Sequence, residues 1–300
     1  MVTVPTPVVE LISEETISRG LTLMMKRDDL IHPTIMGNKW RKLKYNLETA
    51  KISGFKTLLT FGGAYSNHIA ATASAAKLFG FQSIGIIRGE ELDENSNPTL
   101  IEAAKNGMIL KFVSREDFRK WKVDFEFVKN AFHDAYILPE GGTNELAVKG
   151  AAEVIDEITE AYDFLICPVG TGGTMAGLLK NLPSEKQLIG ISSLKGSFVT
   201  KDFQTLITQC GITKTNWTIS EAYHFGGYGK VTDELIHFAN QFKIAFEIAL
   251  DPIYTAKMMF GVYDMIRKDY FPQKARIMVL HTGGLQGIAG FNFKMGEMIL

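Results

Sequence analysis

The sequence predicts an α/β protein in which largely parallel sheets carry helices on their faces. Short apolar runs recur along the chain, and each ends in glycine or another turn residue. Most of these runs are followed by a segment with helical periodicity. This alternation indicates parallel pairing, because two parallel strands must be joined by a long crossover that is usually a helix.

Composition excludes several function classes. Of the 300 residues, 46% are hydrophobic and 22% are charged, enough apolar material for one large domain or two moderate ones. The formal net charge of −1 provides no field for non-specific nucleic-acid binding. The sequence contains no secretion signal at its amino terminus and no run of ~18 apolar residues that could span a membrane. We therefore expect a cytoplasmic protein without nucleic-acid or membrane partners.

Cysteine and histidine spacings predict no metal site. Cys167 and Cys210 fit neither a disulfide nor a metal pattern, so we interpret both as small buried hydrophobic residues in a reducing compartment. The six histidines form no i, i+4 pair and have no flanking acids at ligand spacing. Metal catalysis is thus unsupported by the sequence.

A first series of elements ends in a helix at 145–161, near which we place a domain seam. The predicted strands are 57–61, 83–87, 108–113 and 135–138, with helices at 67–79, after Pro98 and at 115–132. The second series has strands at 163–167, 188–192 and 275–280, and helices at 175–181, 231–242 and 255–266, with a short terminal helix. A helix without a motif is expected within 194–221, followed by an aromatic, glycine-rich loop at 223–229.

A basic segment at 37–43 contains a candidate nucleophile. We expect Asn38 to cap a helix, with Lys39 in its first turn and the cations Arg41 and Lys42 close by. A lysine in positive potential loses its proton easily, and the free amine can attack a carbonyl to form a Schiff base. A basic helix face with solvated lysines is the alternative for this segment taken alone.

A glycine-rich loop between a strand and a helix predicts a phosphate site. Backbone N–H groups and hydroxyls can converge there on an anion; the loop comprises Gly170, Thr171, Gly172, Gly173 and Thr174. It lacks the lysine of a P-loop, and it lacks the third glycine and the later acid of a dinucleotide fingerprint. A strand–helix turn that merely needs small residues is the alternative.

The loop at 62–68 predicts an anion site of a different kind. Ser66, Asn67 and His68 follow two glycines at a helix start. Free N–H groups, the Ser66 hydroxyl and the His68 ring could together bind a substrate carboxylate. Helix capping alone is the alternative.

Six segments in register resemble one enzyme family. They are residues 26–30, 37–43, 62–68, 169–174, 251–257 and 281–285. Together they are similar to the pyridoxal-phosphate enzymes of the D-cysteine desulfhydrase and 1-aminocyclopropane-1-carboxylate (ACC) deaminase family. The resemblance implies a two-domain, three-layer αβα fold of the tryptophan synthase β type (fold type II), with a smaller α/β domain at 46–149 inserted into a larger domain formed by 1–45 and 150–300.

The resemblance also implies a role for each matching residue. Lys39 would be the Schiff-base lysine, Thr282 would meet the pyridine nitrogen and Asn67 the ring oxygen. Lys42 and residues Gly170 to Thr174 would bind the phosphate, and Ser66, Asn67 and His68 the substrate. Tyr228 and Tyr254 would be the active-site tyrosines and, with Lys39 and Ser66, would carry the chemistry.

Two departures bear on the substrate that the resemblance implies. Where the ACC deaminases carry glutamate and glutamine, this chain has Thr255 and His68. We therefore expect a lyase that converts D-cysteine to pyruvate, ammonia and hydrogen sulfide, acting as a homodimer on a small amino acid. The alternatives are ACC deamination to 2-oxobutyrate, elimination from another small D-amino acid, and a non-catalytic module that binds a phosphate-bearing metabolite.

Overall fold

Two sheets form the centre of a computed structural model that describes residues 1–296 and 298–300. Strands are numbered along the chain. The larger sheet has the order β1 (Val8–Glu10), β2 (Thr22–Lys26), β10 (Arg276–Leu280), β7 (Phe164–Val169), β8 (Gln187–Ser192) and β9 (Trp217–Ser220). The smaller sheet has the order β5 (Met108–Val113), β4 (Gln82–Arg88), β3 (Thr57–Gly63) and β6 (Ala135–Ile137). Only the β1–β2 pair is antiparallel among the pairs formed by the described residues, which confirms the predicted fold class.

Helices cover both faces of the larger sheet. In chain order, the helices of both sheets are α1 (Glu14–Ser18), α2 (Asn38–Ile52), α3 (Asn67–Phe79), α4 (Pro98–Lys105), α5 (Arg115–Trp121), α6 (Phe125–Ala131), α7 (Glu145–Glu157), α8 (Gly173–Asn181), α9 (Phe198–Gln209), α10 (Asp233–Phe246), α11 (Thr255–Arg267) and α12 (Gln286–Met295). One apolar core joins the sheet to α10 and α11, and a second joins its other face to α7, α8 and α9. None of these helices has the length and apolar character needed to cross a membrane.

Most predicted elements are present, but several boundaries are wrong. The sequence patterns missed β1, β2 and β9; β1 and β9 are short edge strands, which show little alternation. The helix predicted at 115–132 is two helices: α5 ends at Trp121, and Asp124 begins the second by accepting a hydrogen bond from the Phe127 N–H. The strand predicted at 163–167 continues to Val169, and α8 begins at Gly173 rather than Met175.

The topology brings three loops to one place. The strands of the smaller sheet lie within 57–137, and those of the larger sheet lie before and after this segment. The exact domain boundaries stay a prediction. β3, β7 and β10 each end in a glycine-containing loop at the carboxyl end of a parallel strand, where α/β proteins bind their ligands.

Candidate active site

One cavity collects every residue that the sequence predicted to act. Its lining includes Lys39, Lys42, Ser66, Asn67, His68, Gly170, Thr171, Gly172, Gly173, Thr174, Tyr228, Tyr254 and Thr282. The loops after β3, β7 and β10 supply most of these residues, and the start of α2 supplies the two lysines. The structure leaves none of the predicted residues outside the cavity; their individual roles stay predictions.

The start of α2 holds Lys39 by contacts with two other loops. Gly37, and not Asn38, is the N-cap: its φ is +58°, and a Cβ there would lie 2.0 Å from the Thr282 carbonyl oxygen. Asn38 is the first helical residue, and its Nδ2 donates to Thr174 Oγ1 at 2.8 Å. Its Oδ1 accepts from Lys39 Nζ at 2.8 Å, so the lysine is tied to the glycine-rich loop through one side chain.

Burial lowers the pKa of Lys39 to about 8, although the charge of Asp251 opposes the shift. The direction agrees with the sequence argument, but the expected cause was wrong. Arg41 lies on another side of α2 and donates to Asp28 and Glu157, which neutralise its charge. A buried lysine with this pKa carries a substantial fraction of neutral amine near pH 8.

The start of α8 forms an anion site. Gly172 has φ +80°, and among the described residues no side chain caps the helix. Lys42 Nζ lies at this end: it donates to the Gly141 carbonyl at 2.9 Å and to Thr143 Oγ1 at 3.1 Å, and a Cβ added to Gly173 would be 3.1 Å from it. Free N–H groups, a helix dipole and an ammonium thus converge on one point, which suits a phosphate dianion.

Burial, and next the charge of Lys39, hold the pKa of Lys42 well below its usual range. A phosphate dianion at α8 would reverse this shift, because an opposite charge favours the ammonium form. The residues present therefore fit a phosphate-bearing cofactor whose reactive end lies toward Lys39.

The start of α3 is capped, in contrast to that of α8. Ser66 Oγ accepts from the N–H groups of His68 and Ile69 at 3.2 and 3.3 Å. The capping alternative is therefore correct in part, but a serine that accepts these bonds still has its own O–H to donate into the cavity.

His68 is neutral and needs polar partners. It is 2% exposed, and neither ring nitrogen has a hydrogen-bond partner among the described residues. Burial, followed by the charges of Lys39 and Lys42, lowers its pKa well below the usual value. A buried ring with one donor and one acceptor left unpaired is costly, so a polar ligand in the cavity would satisfy it.

Two tyrosines meet at the opposite wall. Their rings are edge to face, with centroids 6.2 Å apart. Tyr254 is the N-cap residue of α11; burial, and then Tyr228 and Asp251, raise its pKa well above the usual value. Tyr228 as a whole residue is 47% exposed. Tyr254 thus keeps its proton at neutral pH and can donate it in a hydrogen bond.

Sequence reasoning missed several contributors. Thr143 and Gly141 bind Lys42 from a turn that carried no motif, and Asn38 was assigned only a capping role. Asp251 is 1% exposed and accepts from three backbone N–H groups at the start of α11, including that of Tyr254. The sequence signal that could have identified Asp251 is its position as the first residue of the 251–257 segment.

Comparison with known proteins decides the family. Residues 2–283 match the family model described as pyridoxal-phosphate dependent enzyme. The chain belongs to this family. A protein of Pyrococcus horikoshii named as a candidate ACC deaminase is 31% identical and covers 98% of this chain and 95% of its own length. A D-cysteine desulfhydrase of Yersinia pestis is 27% identical and covers 91% and 89%.

The fold agrees with this assignment. The crystal structure of an ACC deaminase homologue superposes with a TM-score of 0.85 at 28% identity, covering 99% of this chain and 95% of that one. The predicted fold type II architecture is thereby confirmed. In this pyridoxal-phosphate enzyme, α8 has no side-chain cap among the described residues and a lysine amine beside its start, an arrangement that suits a phosphate group.

Proposed function

We propose that this enzyme is a D-cysteine desulfhydrase that converts D-cysteine and water to pyruvate, ammonia and hydrogen sulfide. The observation that carries the proposal is the meeting, in one cavity, of a lysine with a lowered pKa, an uncapped helix start and a capped helix start with hydroxyl and imidazole groups. These features supply an amine, a phosphate site and a carboxylate site.

The cofactor would be held by this chain at three points. Lys39 would bind its aldehyde, Lys42 and the α8 loop its phosphate, and Asn67 its ring oxygen. Gln286 Nε2 donates to Asn67 Oδ1 at 3.2 Å, which turns the Asn67 amide donors away from that contact. Thr282 would face the ring nitrogen. When bound, the cofactor withdraws electrons from Cα of an amino acid and so weakens the bonds to that carbon.

The protein would orient and deprotonate the substrate. Ser66 and His68 would donate hydrogen bonds to its carboxylate, which places Cα near the Lys39 amine. Because the pKa of Lys39 is lowered to about 8, the amine can accept the Cα proton near neutral pH. The hydroxyl of Tyr254 could donate a hydrogen bond to the sulfur as it leaves Cβ.

The cavity lining favours elimination over ring opening. Among the described residues that line it, none is an acid. Thr255, at the position where the related ACC deaminases carry glutamate, is 0% exposed and donates to Asp251 Oδ2 at 2.8 Å instead of reaching the cavity. Hydrosulfide is a stable anion and can depart without a carboxylic acid to protonate it.

ACC deamination to 2-oxobutyrate and ammonia is the second candidate. It is favoured by the 31% identity to the Pyrococcus horikoshii protein. Since the family consists of enzymes, the non-catalytic module has no support.

The homodimer and the cytoplasmic location stay predictions. Light scattering of the purified protein tests whether it is a homodimer.

The purified holoenzyme tests both candidates directly. We expect sulfide and pyruvate in equal amounts from D-cysteine, and little 2-oxobutyrate from ACC. Production of 2-oxobutyrate without sulfide would instead assign the second activity. Lys39→Ala should abolish turnover and the visible absorbance of the bound cofactor, whereas Lys44→Ala, on the same helix but paired with Glu153 at 2.8 Å, should keep both.

A further inference from the structure

Lys257 on α11 is a buried cation that the proposed reaction does not use. It is 0% exposed, and no carboxylate of the described residues lies within 4.0 Å of its ammonium. Nζ instead donates to the carbonyl oxygens of His224 and Gly227, each at 2.9 Å. Burying an ammonium without an ion pair is costly, and here two main-chain carbonyls of one loop offset part of that cost.

That loop, residues 223–229, has an unusual backbone. Phe225, Gly226, Gly227 and Gly229 all have positive φ values, of 51°, 91°, 114° and 69°. Three local hydrogen bonds lie along this path: the Gly227 N–H donates to the His224 carbonyl at 2.9 Å, the Lys230 N–H to the Gly227 carbonyl at 3.1 Å, and the Gly226 N–H to His224 Nδ1 at 2.9 Å. The Lys257 ammonium binds that same His224 carbonyl and the Gly227 carbonyl three residues later, so it links the two ends of the turn.

Residues on one face of α11 contact the 223–229 loop along its length. Lys257, Phe260, Gly261 and Asp264 follow the i, i+3, i+4, i+7 spacing of a single helix face. Phe260 packs edge to face on Phe225 at 4.9 Å. Gly261 leaves room for the ring of the residue at 223, whose hydroxyl donates to Asp264 Oδ2 at 2.8 Å. Lys257 is the member of this face that reaches the second half of the loop.

The second half of the loop carries Tyr228 into the cavity. Tyr254, its partner in the cavity wall, is the N-cap residue of α11, less than one turn before Lys257. The same helix therefore carries Tyr254 itself and, through Lys257, contacts the loop that carries Tyr228. The two tyrosine rings are 6.2 Å apart.

We propose that Lys257 is a positioning residue: its ammonium, by binding the carbonyls of His224 and Gly227, holds the 223–229 loop so that Tyr228 stands against Tyr254 in the active site. The kinetic part of this inference rests on the proposed function, since it assigns Tyr228 to the reaction. The structural part, that the ammonium orders the loop, does not.

Burial lowers the pKa of Lys257 to about 8, with Asp251 opposing the shift. The ammonium is thus held less firmly in its charged form than an ordinary lysine. With a pKa of about 8, most of the group is still protonated at pH 7, so the ammonium form makes the two carbonyl contacts.

The main test compares two lysines that make the same kind of contact. Lys214 Nζ also donates to two main-chain carbonyls, those of Lys180 at 2.8 Å and Leu182 at 2.5 Å, but outside the cavity lining. In the holoenzyme, Lys257→Met should lower kcat by about 10-fold or more with the cofactor absorbance unchanged, and it should speed hydrogen exchange of the 223–230 amides. Lys214→Met should change neither kcat nor exchange in that loop.

A double-mutant cycle separates positioning from general stability. If Lys257 acts through Tyr228, Lys257→Met should add little, within about threefold, to the loss caused by Tyr228→Phe. A full and independent loss in the Tyr228→Phe background overturns the proposal. So does wild-type hydrogen exchange of the loop in folded Lys257→Met, a readout that needs no substrate and stands even if the enzyme does not act on D-cysteine.

Chemical rescue provides a second measurement. Lys257→Ala leaves the two carbonyls without their cation, and propylammonium chloride should restore loop protection and part of kcat, whereas sodium chloride at equal ionic strength should not. If the alanine and methionine variants do not fold, Lys257→Arg and Lys257→Gln replace them. Retained loop protection in the arginine variant and lost protection in the glutamine variant support the proposal, and equal protection in both overturns it.

Discussion

Two helices point their amino-terminal ends into the same cavity, and they differ in how those ends are satisfied. α8 begins at Gly173 with no side-chain cap among the described residues, and the Lys42 ammonium lies beside it. α3 begins at Asn67 with its first N–H groups bound by Ser66, and the neutral His68 ring lies beside it. The two ends therefore offer different charge to a ligand.

Under the proposed function, this difference would set which anion binds at which end of the cavity. A phosphate dianion gains most where N–H groups are free and a cation is near, because both interactions grow with its charge. A carboxylate carries a single charge and is satisfied by a hydroxyl and a neutral imidazole donor. The order of cofactor and substrate relative to Lys39 would follow from capping and protonation at these two ends.

Loss of the cation at α8 should have the largest effect. A hydrogen bond to a charged group is worth about 1.5–3 kcal/mol, so Lys42→Met should weaken cofactor binding by roughly 10- to 150-fold. Equilibrium titration of the cofactor-free protein, followed by absorbance, measures it. Lys44→Met on the same helix is the matched control. Equal affinity of Lys42→Met and the wild type for the cofactor would show that the lysine at α8 does not distinguish the two helix ends.

In the cofactor-free protein, the Lys39 amine between the two helix ends can be titrated directly. Reductive methylation with formaldehyde labels neutral amines, and mass spectrometry compares Lys39 with Lys44, whose pKa is raised chiefly by its bond to Glu153 even though desolvation opposes the shift. Because the pKa of Lys39 is lowered to about 8, the ratio of the two rates should stay constant below pH 8 and fall about tenfold per pH unit above it. A ratio that stays constant to pH 10 would contradict the lowered pKa.

Removal of the cap at α3 should affect the substrate and not the cofactor. Ser66→Ala removes both the cap and the free O–H, so we expect about 1 kcal/mol lower stability and roughly a tenfold higher KM. Asn97, which caps α4 through the N–H groups of Thr99 and Leu100 at 2.9 and 3.1 Å, is the control. Urea unfolding should show a similar loss of stability for Asn97→Ala, while its KM stays unchanged. If KM rises equally in Asn97→Ala, the effect of Ser66→Ala on KM is due to lost stability and not to a lost substrate contact.

The smallest effect concerns the charge of His68. Since its pKa lies well below the usual value of 6.5, the ring should not titrate between pH 6 and 7.5. The pH profiles of KM for the wild type and for His68→Gln should therefore have the same shape in this range. The substitution itself should raise KM only a few-fold, because glutamine keeps a neutral donor. A step near pH 6.5 present only in the wild type would show that the ring becomes charged.

Local patterns predicted much of the fold and many of the cavity-lining residues, but not Gly141 or the part that Asn38 plays. The glycine loop at 170–174 and the Ser66 start of α3 are readable because turn and cap chemistry is written within a few residues. The edge strands β1 and β9 were not readable, because three or four residues carry little periodicity. The break between α5 and α6 was missed because no glycine or proline marks it.

The sequence alone thus determined which residue types stand at strand ends and helix starts, and through them the family, the cofactor and the fold class. Only the tertiary structure decided how those residues are charged and held. It buried Lys39 and paired Arg41 with Asp28 and Glu157. It also left the start of α8 without a side-chain cap among the described residues and bound the Lys257 ammonium to the loop that carries Tyr228. The reason is that burial and carbonyl or carboxylate partners come from chain segments far apart in sequence, whereas motifs record only neighbours.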